Sequence, residues 1–305
     1  MTPVDWLWIP ITLAAAFAQT LRNAAQKHLT ASLGTLGATL VRFLYGLPFA
    51  ALWLAGVRAF DTSPLPAATI PFGAWVLLGA ISQIVATALL LRVIAERNFT
   101  LGVAYSKSEI IQVAVLGFAF LGDPVGLLSA FAIVTGSLGV LQLSPADAQR
   151  PLRSLIAGVG SRTALLGLAS GSGFALSAIG YRGAALSLHD TSFLTAAACT
   201  LMAAQIIQTL LLGGWLLVRR LQTFLKVLQE WRASLFAGAM GATASAGWFT
   251  AMAIEPAAHV RTLALIELVF SYLLSRRLFS EQLTRRELGG LCLLCFGLVM
   301  VTLSR

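Results

Sequence analysis

Long apolar runs alternate with short polar breaks along this chain, and that rhythm predicts its elements. Runs of about 20 apolar residues are long enough to cross a bilayer core of about 30 Å. They recur at residues 6–21, 35–57, 72–94, 99–121, 126–143, 163–186, 191–218, 233–254, 258–277 and 286–303. Gly, Pro or charged residues bound them. Ten helices of this kind use most of the 305 residues and leave no soluble domain over. The longest connector, Ser144 to Arg162, contains Pro145 and Pro151 and divides the chain near its middle. Ala16-Phe17-Ala18 has the small-x-small form of a signal-peptide cleavage site. Asp5 and no Lys or Arg precede it, the wrong flank for a signal peptide, so the first run is read as a retained helix.

The two halves look duplicated. An offset of 158 places Glu109 on Glu267, Asp123 on Glu281 and Gly139 on Gly297. At an offset of 160, Arg22-Asn23-Ala24-Ala25 faces Arg182-Gly183-Ala184-Ala185. Five spans is an odd number, so two such halves lie in opposite orientations. The expected fold class is an all-α membrane protein: ten transmembrane helices forming two inverted five-helix repeats, 1–150 and 151–305.

Composition excludes the soluble alternative. Hydrophobic residues make up 58% of the chain and charged residues 11%, too few to cover a soluble globule. The net charge of +9 would suggest nucleic-acid binding in a soluble protein, but here the basic residues sit in short connectors, so no nucleic-acid partner is expected. Odd-numbered connectors hold fifteen basic residues, Arg22 and Lys27 among them, against Arg58 and Arg305 for the even connectors and termini. The positive-inside rule then puts the odd connectors in the cytoplasm and both termini outside the plasma (inner) membrane.

Polar groups inside apolar spans are the candidate chemistry. A charge at mid-membrane costs about 2.5–3.5 kcal/mol, so it faces protein or water. Glu109 and Glu267 fall near the centres of spans four and nine. Either carboxylate could carry a proton or hold a cationic amine; each could equally form a structural ion pair with Arg42, Lys107, Arg182 or Arg261. Tyr105, Ser108, Glu109 and Gln112, spaced by three and four, share one helix face, which Val113, Leu116 and Phe120 extend in apolar form. Lys107 lies about 200° from Glu109 around the helix, so it needs another partner, phospholipid included, or faces a cavity from an edge.

Gln19, Asn23 and Gln26 in span one, with Arg22 beside them, Gln83 and Thr87 in span three, and Gln205, Gln208 and Thr209 in span seven could orient a zwitterion. The same groups could simply bond neighbouring helices. Trp248, Phe249 and Tyr181 could form an aromatic wall. Arg42 and Arg182 suit a carboxylate or phosphate, with Arg182 expected to snorkel to a head group. Gly167, Gly171, Gly173 and Gly180 give span six a small face, and Gly289, Gly290 and Gly297 could form a dimer seam in span ten. Monomer and homodimer both remain open. Cys292 and Cys295 read as small packing residues, and His28, His189 and His259 are scattered near helix ends. No metal site, cofactor or catalytic group is expected, and no phosphate loop, serine elbow or zinc helix occurs.

Two stretches resemble a known repeat. Ile266-Glu267-Leu268-Val269-Phe270, followed by Leu278-Phe279-Ser280-Glu281-Gln282-Leu283-Thr284, is similar to the repeat of EamA-type transporters in the drug/metabolite transporter superfamily. Glu109-Ile110-Ile111 and Leu121-Gly122-Asp123-Pro124 give the same frame in the first half, and Lys27 and Arg42-Phe43-Leu44 are similar to family positions near the start. Ile110 and Leu268 stand where the family often has Pro.

The resemblance implies a basket of ten helices around one central cavity between the two halves, a fold that moves small metabolites, often outward. The expected function is therefore a multi-pass secondary transporter, not an enzyme. Its substrate would be a small polar or amphipathic metabolite, amino acids first, exported by alternating access with proton coupling through Glu109 or Glu267. Membrane lipid is the other partner. The alternative is a membrane-embedded lipid-handling protein or an enzyme acting on a lipid-linked substrate.

Overall fold

A computed structural model of the protein describes residues 6–96, 106–107, 109–143, 162–270 and 285–303. Every regular element among these residues is helical. In chain order they are α1 (Trp8–Leu44), α2 (Leu47–Phe60), α3 (Ile70–Glu96), α4 (Glu109–Leu121), α5 (Leu127–Leu143) and α6 (Arg162–Leu186). There follow α7 (Phe193–Arg219), α8 (Leu221–Gln229), α9 (Trp231–Ile254), α10 (Ala257–Leu263) and α11 (Arg285–Leu303). A π-helical turn at Thr209–Gly213 interrupts α7.

The bundle has an inverted distribution of polarity. Leu52, Phe60, Phe118, Phe120, Leu127, Leu210 and Val218 are exposed on its outside. Arg22, Arg42, Lys107, Arg182, Arg261, Glu109 and Glu267 are buried among alanines. Water would reward the opposite arrangement, and lipid rewards this one. Phe120, expected on the Glu109 face, is instead on the exterior.

Three long helix pairs make the frame: α1 along α9, α3 along α6, and α5 along α11. Each has a close approach at a small residue. A Cβ on Gly247 would come within 2.7 Å of the Ala15 Cβ, one on Gly180 within 2.8 Å of the Gly79 nitrogen, and one on Gly297 within 2.7 Å of the Gly136 nitrogen. Gly297 thus packs inside its own chain rather than at a dimer seam. Cys292 and Cys295 are exposed on α11 and do not pack in the core.

Two sequence expectations are corrected by the helix ends. The first span was expected to stop at residue 21, but α1 continues to Leu44, broken only at Gly34, whose φ of 68° lies in the left-handed region open to glycine. Arg22 is therefore a mid-bundle residue and not a connector charge. Glu109 and Glu267 were expected at mid-helix. Glu109 instead opens α4, and Glu267 is the second residue of a new helical segment after a turn at Ala264-Leu265. No proline is needed for that break.

Candidate functional site: a buried polar cavity

The broken helices bring both carboxylates to one small cavity, about 40 Å³ in this conformation, room for a few waters. Its walls come from α1 (Gln19, Arg22, Asn23, Arg42), α3 (Gln83, Leu90), the approach to α4 (Ser106, Lys107, Glu109), α6 (Phe174), α9 (Ser245, Trp248, Phe249) and the α10 region (Arg261, Glu267). Irregular backbone at this depth is tolerated because it lines a polar cavity and not lipid.

Glu267 is held by three donors. Gln19 Nε2 donates at 2.8 Å and Lys107 Nζ at 3.0 Å to one carboxylate oxygen, and Asn23 Nδ2 donates at 2.8 Å to the other. The partner that Lys107 needed is thus the carboxylate of the opposite half. Trp248 Nε1 donates to Gln19 Oε1 at 3.0 Å and so fixes the amide that faces Glu267. Glu109 has a looser partner: Arg261 Nη1 lies 3.8 Å away, and the Arg261 guanidinium stands 5.4 Å over the Trp248 ring. Each carboxylate therefore faces a cation contributed by the other half of the chain.

The two remaining cations have neutral hydrogen-bond partners. Arg22 Nε and Nη2 donate to Asn23 Oδ1 at 3.3 and 2.8 Å. Arg42 Nη1 donates to Thr87 Oγ1 at 3.3 Å. Beside them, Gln83 Oε1 accepts from Tyr181 Oη at 3.2 Å and from Gln208 Nε2 at 2.7 Å, so its polar end is committed to a helix-to-helix network. Tyr181 packs on Phe249 with ring centroids 4.4 Å apart, while Trp248 and Phe249 face the cavity directly.

Of the predicted site residues, Gln19, Asn23, Arg42, Gln83, Lys107, Glu109, Trp248 and Glu267 converge here. Tyr105 and Ser108 lie outside the described residues. Gln112 does not line the cavity; it sits one turn beyond Glu109 along α4 and is half-buried. Sequence reasoning undervalued Arg22 and passed over Ser106 and Ser245. The usable signal was the spacing Gln19-Arg22-Asn23-Gln26, one polar stripe on a helix read too short.

One end of the bundle is fastened by two polar clasps. Arg182, expected to snorkel, is instead buried and bidentate to Asp123, with Nε at 2.8 Å and Nη2 at 2.7 Å. Its Nη1 donates to the carbonyls of Met252 and Glu255 at 2.5 and 2.9 Å. Glu255 in turn meets His259 at 2.6 Å, and the other His259 nitrogen meets Ser129 at 2.8 Å.

In the second clasp, Asp61 accepts from the Ser63 amide at 2.9 Å, from Thr195 Oγ1 at 2.6 Å and from Ser192 Oγ. Those bonds hold the Asp61 carboxyl well below the usual carboxylate range, the Ser192 bond contributing most. Phe174 lies eight residues before Arg182 along α6, so the cavity sits about 12 Å inside the clasped face, toward the bilayer midplane.

These features define an all-helical, multi-pass membrane protein with a buried, charged cavity. Residues 161–303 match the EamA-like transporter family. That match spans 143 of the 305 residues, the second half of the chain, and makes this half similar to the EamA-type transporters of the drug/metabolite transporter superfamily. Members of that family are transporters. A solved crystal structure at 15% identity aligns over 97% of this chain and 96% of its own with a TM-score of 0.68, a likeness of fold. Comparison with curated proteins finds no match.

Proposed function

We propose that this protein is a secondary transporter that moves a small polar metabolite outward by alternating access, with the solute held between two inverted five-helix halves, 1–150 and 151–305. The observation that carries the reading is the pair of carboxylates at helix breaks in one buried cavity, each facing a cation of the opposite half. Discontinuous helices at midplane are how transporters expose backbone and charge to a solute. The helix pairing supports the inverted repeat. Exchanging the halves turns the α1–α9 pair into the α6–α3 pair and returns the α5–α11 pair to itself.

The clasps support an alternating mechanism. Arg182-Asp123 and Asp61-Ser192 tie elements together at one face, and in this reading transport through that face requires them to open. With Arg22 inside the bundle, the odd connectors still hold fourteen basic residues against two, which favours both termini and the clasped face outside. Glu109, with one ion-pair partner at 3.8 Å, is the carboxylate best placed to exchange a proton; Glu267 is tied by three donors.

The test is flux in proteoliposomes loaded with amino acids and related polar metabolites. Wild type should show counterflow, and Glu267→Gln should lose it. Glu109→Gln should keep exchange but lose acceleration by a pH gradient. Unchanged flux in both variants would remove the carboxylates from the mechanism.

A further inference from the structure

The charges lining the cavity do not balance. Among the described lining residues there are four cations, Arg22, Arg42, Lys107 and Arg261, and two carboxylates, Glu109 and Glu267. Lys107 and Arg261 are matched by the carboxylates. Arg22 and Arg42 are each 3% exposed and hydrogen-bond to neutral partners, Asn23 and Thr87; Glu267, already tied to Lys107, is the carboxylate within electrostatic reach of Arg22. Arg22 Nη1 and Arg42 Nε have no hydrogen-bond partner among the described residues. A guanidinium buried this way carries the full cost of lost hydration with little return.

The two side chains also converge. A Cβ on Gly241 of α9 would lie 3.3 Å from Arg22 Cδ and 3.3 Å from Arg42 Cγ, so both stems cross the same glycine. That places two forked donor groups side by side against one wall. Paired guanidinium forks of this kind match the oxygens of a carboxylate or phosphate.

We propose that Arg22 and Arg42 form an anion subsite that takes the carboxylate or phosphate group of the transported solute. The inference rests on the transporter reading and narrows it. An excess of two positive charges favours a solute of net negative charge, such as an acidic amino acid, a dicarboxylate or a phosphate ester, over a neutral zwitterion. The solute completes the cavity's charge balance, and Asn23 and Thr87 hold the guanidiniums in place while the site is empty. Asn23 also donates to Glu267, so filling the subsite is felt by the carboxylate that joins the two halves.

The test is thermal unfolding of purified full-length protein in neutral detergent at fixed ionic strength. The probes are inorganic phosphate, succinate, aspartate, alanine and tetraethylammonium. Phosphate, succinate and aspartate should raise the melting temperature in a saturable way, alanine less, and tetraethylammonium not at all. Arg22→Gln and Arg42→Gln should each weaken the anion response by about 10- to 100-fold, the loss of a charge-assisted hydrogen bond or two. Arg42→Lys, which keeps the charge and loses the fork, should weaken it less than Arg42→Gln.

A second readout separates binding from scaffolding. Without ligand, Arg42→Gln should melt no lower than wild type, because it removes an uncompensated charge. A lower melting point together with an intact anion response would make Arg42 structural and overturn the proposal. So would a wild type indifferent to all three anions. Stabilisation by phosphatidylglycerol nanodiscs with no response to soluble anions would assign the arginines to lipid head groups and overturn it as well.

Flux distinguishes this inference from the reading it rests on. Transport of a neutral or cationic solute without anion binding would sink only the subsite. Anion binding without any flux would sink only the transporter.

Discussion

Arg182→Gln removes a group on which four hydrogen bonds depend, and the structure sets the order of effects. Two of those bonds go to the Asp123 carboxylate at 2.7 and 2.8 Å and two to the carbonyls of Met252 and Glu255. The change strands a carboxylate that is 8% exposed together with two buried carbonyls. Removing one partner of a buried pair costs about 3–5 kcal/mol, and this variant should fall at the upper end. Asp123→Asn leaves the guanidinium its two carbonyls and an amide oxygen, so it should cost about 3 kcal/mol.

The double variant should lose about 1–3 kcal/mol less than the sum, because the second change removes a group already stranded. Unfolding in mixed micelles by titration with a denaturing detergent reads all three, with wild type as reference. Transport adds a second reading, since weakening the clasp should favour opening of that face and alter exchange and net flux unequally. Two single variants within about 1 kcal/mol of wild type and strictly additive would refute the clasp as an energetic unit.

Other changes test other parts of the account. Gly180→Leu on α6 should separate α3 from α6, since even a Cβ there would meet the Gly79 backbone at 2.8 Å; a loss of about 1–3 kcal/mol in the same unfolding assay is expected. Asp61 binds its proton less readily folded than unfolded, so its contribution is complete above pH 5 and is lost only in strong acid. The melting temperature of wild type minus that of Asp61→Asn should accordingly be flat from pH 5 to 8, and a slope across that range would contradict the hydrogen-bond set. Lys107→Met should abolish flux while Lys107→Met with Glu267→Gln recovers folding without recovering flux, read by monodispersity and counterflow. Cys292→Ser and Cys295→Ser, on the exposed side of α11, should change neither stability nor flux in those two assays.

The helical plan was legible in the sequence because the bilayer imposes a length on apolar runs, and α3, α5, α6, α7 and α9 lie within a few residues of the predicted spans. Where reading failed, polar residues belonged to the protein interior and not to a boundary. Gln19, Arg22, Asn23 and Gln26 lower the apolar density of α1 and mimic a helix end, although they form the stripe that builds the cavity. The halves' equivalence of Glu109 and Glu267 was visible as an offset, but their partners were not. Lys107 meets Glu267 across 160 residues, and no spacing rule within a helix reports such a pair. Nor did the sequence place a break at Ala264-Leu265, which contains neither Gly nor Pro.

The central claim is that the cavity opens to each side of the membrane in turn, and site-directed labelling addresses it most directly. The three native cysteines, Cys199, Cys292 and Cys295, are replaced by Ser, and Ser245, a buried cavity residue 3% exposed, is changed to Cys. A membrane-impermeant thiol reagent is then applied from one side of oriented proteoliposomes or the other. The account predicts labelling from both sides, slowed by a transported solute, with Asp123→Asn raising the rate from the clasped side. Labelling from one side alone, unaffected by solute or by the clasp, would contradict alternating access through this cavity.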